Sequence, residues 1–340
     1  MVSYIHNGDD MKYIKNNYKF ILVLIFTILI FSIRFPYYID APGGISNMQD
    51  KIEIDGYKSK GSFNITYIKE YRATIPTLFL SLLNKDWDVI KNEEVLLENE
   101  SVKDYIKRDK LFMDESISNA IYVAYTKANK EIEILNTNIT VLYVDEKANT
   151  NLKVGDVILE INGTKINNKD EIPVLIEDYD IGEKINIKVK SNNKEYNRYV
   201  KLIEMDNEKK LGILIVSLNK YKTKPNIKIN IDKNESGSSG GLITALTIYN
   251  NLVKQDITHG LTIVGTGTID IDGNVGSIGG VNYKLKSAEA SGADIFFVPN
   301  GENYKEAIKL KKEKKYKIEI IGVDTFDDAL EYLERIKTNR

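Results

Sequence analysis

The stretch Glu235-Ser236-Gly237-Ser238-Ser239-Gly240-Gly241-Leu242 runs directly into Ile243-Thr244-Ala245-Leu246-Thr247-Ile248-Tyr249-Asn250-Asn251-Leu252-Val253. Leu242, Ala245, Leu246, Tyr249 and Val253 recur at helical spacing, which predicts a half-buried helix entered through a Gly-rich turn. A helix N-terminus presents unpaired backbone N–H groups and the positive end of the helix dipole, so a serine delivered there has an oxyanion site beside it. The same residues also suit plain capping, since Ser is a favoured N-cap and Gly eases the entry. The surroundings point beyond capping. Ten of the 22 glycines fall between Gly237 and Gly280, where a strand, a tight turn and a second helix follow one another and backbones must approach closely.

A nucleophilic serine needs a base, and composition narrows the choice. The chain has no Cys and two His, His6 and His259, which excludes Cys-His catalysis and His-rich zinc sites. A Ser-His-Asp triad would rest on His259 alone, and the other common arrangement is Ser-Lys. In Gly279-Gly280-Val281-Asn282-Tyr283-Lys284-Leu285-Lys286-Ser287-Ala288, read as a helix, Val281, Lys284, Leu285 and Ala288 share one face and Lys286 points to solvent. Burial depresses a lysine below its reference pKa of roughly 10.4, and a neutral amine can take a serine proton. Read by itself, Lys284 better suits a side chain whose stem covers apolar surface while its head reaches water.

Ser236-Gly237-Ser238-Ser239-Gly240-Gly241, then Gly265-Thr266-Gly267-Thr268-Ile269, Asp272-Gly273-Asn274-Val275, Ile278-Gly279-Gly280 and Lys284 together resemble the proteolytic domain of Lon-type serine proteases. The resemblance implies Ser239 as nucleophile, Lys284 as base, Thr266 as the threonine near that lysine, and Gly237 and Gly240 as supports of the turn. Two positions depart from the family pattern: Ser238 stands where the family carries Pro, and Gly240 where it carries Ala. The turn is therefore more flexible and crowded with serines. An inactive, degenerate site is the alternative this leaves open.

Earlier in the chain, Phe20 to Ile33 carries no charge and is bracketed by Lys19 and Arg34. The run falls short of the ~20 residues that span a bilayer, but both cations can snorkel and lengthen its apolar reach. Tyr13, Tyr18, Phe35, Tyr37 and Tyr38 suit interfacial belts. The residues after it lack a small-x-small cleavage pattern, which favours an uncleaved anchor over a signal peptide. Lys12, Lys15 and Lys19 before the run outnumber Arg34 after it, which places the N-terminus in the cytoplasm and the rest outside.

Residues 36–135 carry two candidate strands, Ile52 to Ile54 and Ser62 to Ile68, and two candidate helices, Ile75 to Leu83 and Ile117 to Lys127. The charged stretch Lys91 to Lys110 reads as solvated surface, and the whole region reads as a spacer from the membrane. Residues 136–204 alternate as strands around a short helix, Lys169 to Tyr179. There Leu152 to Gly163 is similar to the Gly-Asp-x-Ile-x-x-x-Asn-Gly signature of PDZ domains, which take up an extended peptide as an added strand. After Leu211 the strands and helices read as an α/β domain, with Ile295 to Pro299 a buried strand and Thr325 capping a last helix. Asp270 and Asp272 suit a turn better than a metal pair.

The expected fold class is α/β (α+β). Its parts are a cytoplasmic N-terminus at 1–19, a transmembrane helix at 20–35, a membrane-proximal region at 36–135, a PDZ-like β-rich domain at 136–204 and a Lon-type proteolytic domain at 205–340. Anchor, PDZ-like module and Lon-type domain in that order, with Gly56-Tyr57-Lys58-Ser59-Lys60-Gly61-Ser62-Phe63, resemble the bacterial YlbL/SepM-like membrane proteases. That resemblance implies a membrane-anchored serine endopeptidase acting on peptide or protein substrates.

No Gly-x-x-x-x-Gly-Lys-Ser/Thr phosphate loop occurs, so ATP is not expected; with no His near Asp270 and Asp272 no metal is expected, nor is any other cofactor. With 49 acidic against 47 basic side chains, nothing argues for nucleic acid. A homo-oligomer is compatible with the sequence. Two other classes of function remain open: a PDZ-based binding scaffold without activity, and a soluble secreted hydrolase.

Overall fold

The computed structural model describes residues 7–54, 59–205 and 207–338. His6, and Gly56, Tyr57 and Lys58 of the resemblance stretch, lie outside the described residues. The chain divides into two compact units, one of residues 1–42 and 69–95 and the other of residues 43–68 and 96–340.

In the first unit, α1 (Asn7–Ser32) contains a 20-residue segment, Tyr13–Ser32, long and apolar enough to cross a membrane, none of it buried within the protein. The helix thus ends three residues before the expected limit at residue 35, and begins well before residue 20. β1 (Tyr37–Asn47) follows, and a second long strand, β2 (Ser62–Arg72), leads into α2 (Ile75–Leu83). Thr74 starts α2 with a capping box closed by Thr77, and Pro76 sits in the first turn, where its missing N–H is no loss. β3 (Asp88–Lys91) then pairs antiparallel with the Tyr37–Asp40 end of β1. Both β1 and β2 continue into the second unit.

In the second unit, α3 (Val102–Lys127) starts at Ser101, whose hydroxyl accepts from the Asp104 N–H. It is far longer than the helix expected from Ile117 and absorbs much of the charged stretch read as solvated surface. Arg108 explains part of the difference: it makes a two-point ion pair with Glu100 at 2.6 and 2.9 Å, so charges that read as surface are turned inward.

β4 (Glu131–Val144), β5 (Asn149–Thr150), β6 (Val157–Ile161), α4 (Glu171–Ile176), β7 (Lys184–Ser191), β8 (Lys194–Lys201) and β9 (Ile213–Lys224) build the next layer. The sheet order is β9-β4-β6-β7-β8-β5. Alternate side chains, among them Ile139, Val141, Ile158, Ile185, Ile187 and Val189, bury one face beneath α4. Asp156 of the Gly-Asp signature is fully buried, accepts from the Lys153 N–H at 3.0 Å and lies 3.2 Å from Arg198 Nε. β9 falls in the stretch that the sequence assigns to the proteolytic domain, yet it pairs with β4 along its whole length.

The rest of the unit includes α5 (Gly241–Val253), β10 (Thr262–Gly265), a small antiparallel pair β11 (Thr268–Ile269) and β12 (Val275–Gly276), and α6 (Val281–Ala290). It is completed by β13 (Ile295–Pro299), α7 (Glu302–Lys314), β14 (Glu319–Val323) and α8 (Phe326–Thr338). β14, β13, β10 and β2 pair in that order, all in parallel, and Ile263, Phe296, Phe297 and Val298 are buried between the helices. The region expected to be a spacer therefore supplies both a strand, Ser62–Ile65 against β10, and the helix α3 that packs on α5.

Candidate active site

α5 begins where the sequence places it. Gly240 is its N-cap, Gly241 its first residue and Ser239 stands half-buried just before it. Gly237 has φ +90°, a left-handed conformation that side chains disfavour, and its N–H donates to the Asp109 carbonyl at 3.1 Å. Gly241 is needed for a different reason: a Cβ there would stand 2.5 Å from Ser116 Oγ and 2.9 Å from the Ile269 nitrogen. α3 can approach the turn this closely because no side chain intervenes.

Three contacts from α3 hold the turn. Ser236 Oγ donates to Asp109 Oδ2 at 2.6 Å, Gly237 is bonded as described, and buried Ser116 donates to the Ser238 carbonyl at 2.8 Å. On the other side, the Ser239 carbonyl accepts from the Gly267 N–H at 2.8 Å and from Thr266 Oγ1 at 3.2 Å. The backbone N–H groups of Ser239 and Gly240 have no acceptor among the described residues. They lie at the positive end of α5, where an anionic oxygen would be favoured.

Lys284 lies on α6 and is 4% exposed. Burial pushes its ammonium down to about 8, because the low-dielectric surroundings disfavour the charged form. Its Nζ donates to Thr266 Oγ1 at 3.3 Å. Thr266, itself fully buried, thus accepts from the lysine and donates to the Ser239 carbonyl. The three sequence-selected residues Ser239, Thr266 and Lys284 are brought together through this hydroxyl. Among the described residues, Lys284 Nζ and Ser239 Oγ are linked by no direct hydrogen bond.

His259 is elsewhere. Its Nε2 is 3.0 Å from the Leu333 carbonyl on α8, and it lines a cavity with Tyr249 and Val253 of the far end of α5. A helix of that length separates its ends by roughly 20 Å, so His259 is no partner for Ser239. Asp270 accepts from the N–H groups of Asp272 and Asn274 at 3.0 and 2.8 Å, which makes it a turn former. Among the described residues no cluster of His, Cys, Asp and Glu is arranged to hold a metal.

Asp109 and Ser116 hold the serine turn without standing out in the sequence. The Ser101-x-x-Asp104 cap could have extended the helix back to residue 102. Nothing local could have shown that Asp109 faces a turn 127 residues later.

Residues 221–335 match the Lon protease (S16) C-terminal proteolytic domain and residues 118–202 match a PDZ domain, so the chain carries both. The Lon protease of Aster yellows witches'-broom phytoplasma is 33% identical over 95 residues, covering 28% of this chain and 12% of that protein. Lon protease 2 of Bacillus subtilis is 37% identical over 95 residues, covering 28% of this chain and 16% of that protein. The shared part is thus a small fraction of these relatives. The crystal structure of the PDZ domain of an SdrC-like protein from Listeria innocua is 30% identical, with a TM-score of 0.22, and matches 23% of this chain and 92% of that one.

Proposed function

We propose that this chain is a membrane-anchored, ATP-independent serine endopeptidase of the YlbL/SepM-like kind, with Ser239 as nucleophile and Lys284 as base. The observation that carries the reading is the buried Lys284 amine, joined through Thr266 to the carbonyl of Ser239 in the turn before α5. Neutral Lys284 takes the Ser239 proton as Oγ attacks the scissile carbonyl and returns it to the leaving amine. The N–H groups at the start of α5 hold the oxyanion meanwhile. Water then hydrolyses the acyl-serine by the same route.

β9 is the outer strand of the PDZ sheet, which suits capture of an extended substrate by strand addition. The domain limits given above stand as part of this proposal, with β9 added to the PDZ module. The apolar helix α1 serves as the single-pass anchor, and the excess of lysines before it puts the catalytic domain outside the cytoplasm. Substrates on this reading are peptides or membrane-proximal segments already extended, since residues 1–340 contain no phosphate-loop motif of an unfolding motor.

The test compares peptides released by cells carrying the natural protein and Ser239→Ala. The reading expects a set of products lost with the serine. An unchanged peptide set, with no labelling of the purified protein by a serine-reactive probe, would favour a PDZ scaffold instead.

A further inference from the structure

The helix α2, Ile75-Pro76-Thr77-Leu78-Phe79-Leu80-Ser81-Leu82-Leu83, contains no charged residue and buries no side chain. Phe79, Leu82 and Leu83 are 61%, 82% and 69% exposed, and Ile75 and Leu80 are exposed beside them. An apolar surface of this kind without a partner is rare on a protein facing water. Its position is set by the backbone. The Phe35 N–H donates to the Ala73 carbonyl and the Ala73 N–H donates to the Tyr37 carbonyl, both at 2.9 Å. Ala73 immediately precedes the cap of α2, while Phe35 lies three residues after the end of α1. α2 therefore starts at the level where α1 ends, and the two helices touch within one compact unit.

Nine residues make a helix of roughly 13 Å, too short to cross a hydrocarbon core of about 30 Å. It is long enough to lie in the interface. After it the chain returns to water through exposed Lys85, Asp86 and Asp88. Trp87 stacks with Tyr71, ring centres 6.2 Å apart, and both are residue types that settle at the level of lipid headgroups.

We propose that α2 is a second membrane contact, an interfacial helix whose Phe79, Leu80, Leu82 and Leu83 side chains enter the lipid bilayer beside α1. This rests on the reading of α1 as an anchor and goes beyond it. A single helix fixes only the depth of a chain in the membrane, whereas a helix with an adjoining interfacial helix also restricts its tilt and rotation.

Trp87 is the only tryptophan, so its emission reports on this site without labelling. The full-length protein is placed in lipid nanodiscs of phosphatidylcholine and phosphatidylglycerol, with or without bromine on the acyl chains. The expected result is at least about twofold quenching by the brominated lipid, with protection from aqueous iodide. Leu82→Glu with Leu83→Glu, at two positions that bury nothing, should relieve the quenching while the protein still co-elutes with the discs.

Incorporation without quenching, with Trp87 open to iodide, would overturn the proposal. Shielding from iodide without quenching would assign the surface to a second copy of the chain, and quenching that survives the double substitution would assign it to α1 alone; either overturns the proposal. Failure to enter the discs would overturn the anchor reading and this inference with it.

Discussion

Beneath the PDZ sheet the buried side chains are aliphatic, from Ile139 and Val141 through Ile185, Ile187 and Val189 to Leu202, with Thr140 and Asp156 as the buried polar groups of that layer. Around α5 and α6 the buried set includes Thr244, Thr247, Asn250, Thr266, Lys284 and Ser287. Burying a polar group is unfavourable unless it is hydrogen-bonded, and burying an amine more so. The PDZ sheet confines the buried Asp156 carboxylate to a turn, where Oδ2 accepts from a backbone N–H and lies 3.2 Å from Arg198 Nε, while Oδ1 has no hydrogen-bond partner among the described residues. The region around α5 and α6 places its buried amine against a single hydroxyl, a poor partner for a charge. The first arrangement serves stability. The second costs some stability and holds an amine whose pKa burial lowers to about 8.

The sharpest way to break this contrast is at the lysine. Activity on a short generic peptide should rise about tenfold per pH unit and level off above the Lys284 pKa of about 8, read as a pH profile of kcat/KM. Lys284→Arg, which stays charged, should lose at least about a thousandfold at every pH, as should Ser239→Ala, while Lys286→Arg and His259→Gln keep activity. A profile that is flat between pH 6 and 9 in the natural protein would remove the lysine from the chemistry.

Next in size is the PDZ charge. Asp156→Ala leaves Arg198 half-enclosed without its carboxylate and should destabilise the protein by about 3 kcal/mol in urea unfolding. The turnover of a short peptide per folded molecule should not change. A fall in that turnover would mean that the PDZ sheet and the serine turn are one functional unit, joined through α3, which packs against both β9 and α5.

Lys284→Met tests the same contrast from the other side. Below pH 8 the amine is protonated in both folded and unfolded chains, and the penalty for burying its charge is fully present. From pH 8 to about 10.4 the folded amine is neutral while the unfolded one is still charged, so the penalty fades as pH rises. The inactive Met variant should therefore be more stable by about 1–3 kcal/mol at pH 7, a gain that shrinks toward pH 10. Calorimetry at the two pH values reads it, and a less stable variant at pH 7 would show that Lys284 is well satisfied where it lies.

The smallest effect belongs to α3. Asp109→Ala removes the acceptor of Ser236 Oγ but leaves the backbone bond to Gly237, so kcat should fall about three- to tenfold with KM unchanged. Asp109→Asn, which still accepts a hydrogen bond, should restore most of it. Equal losses in both variants would point to charge rather than positioning.

Much of this arrangement can be read along the chain. The period of Leu242, Ala245, Leu246 and Tyr249 gives α5, the Gly-rich entry gives its start, and the apolar face around Lys284 gives the burial of the amine, because each signal lies within a few residues of the next. The PDZ and Lon-type parts follow from similarly short patterns, and both are matched by known domains. Where the sequence reading stopped short, the partner was distant. β9 looked like the first strand of the proteolytic domain, because nothing in Ile213 to Lys224 says which sheet it joins. Ser62–Ile65 looked like a spacer strand, because its parallel neighbour β10 comes 200 residues later. The charged run before Ile117 looked solvated, because ion pairing by Arg108 and the reach of Asp109 to the serine turn depend on how α3 packs.

The sequence by itself determined the class of fold, the helix that follows the serine turn, the apolar face on which Lys284 lies and the apolar run of α1, since all of these are set by local periodicity and composition. Only the tertiary structure decided that Thr266 joins Lys284 to the serine turn, that α3 clamps that turn, that His259 faces α8, and that α2 begins where α1 ends. These relations rest on hydrogen bonds and packing between residues remote in the chain, and no local pattern carries information about a partner that only folding brings near.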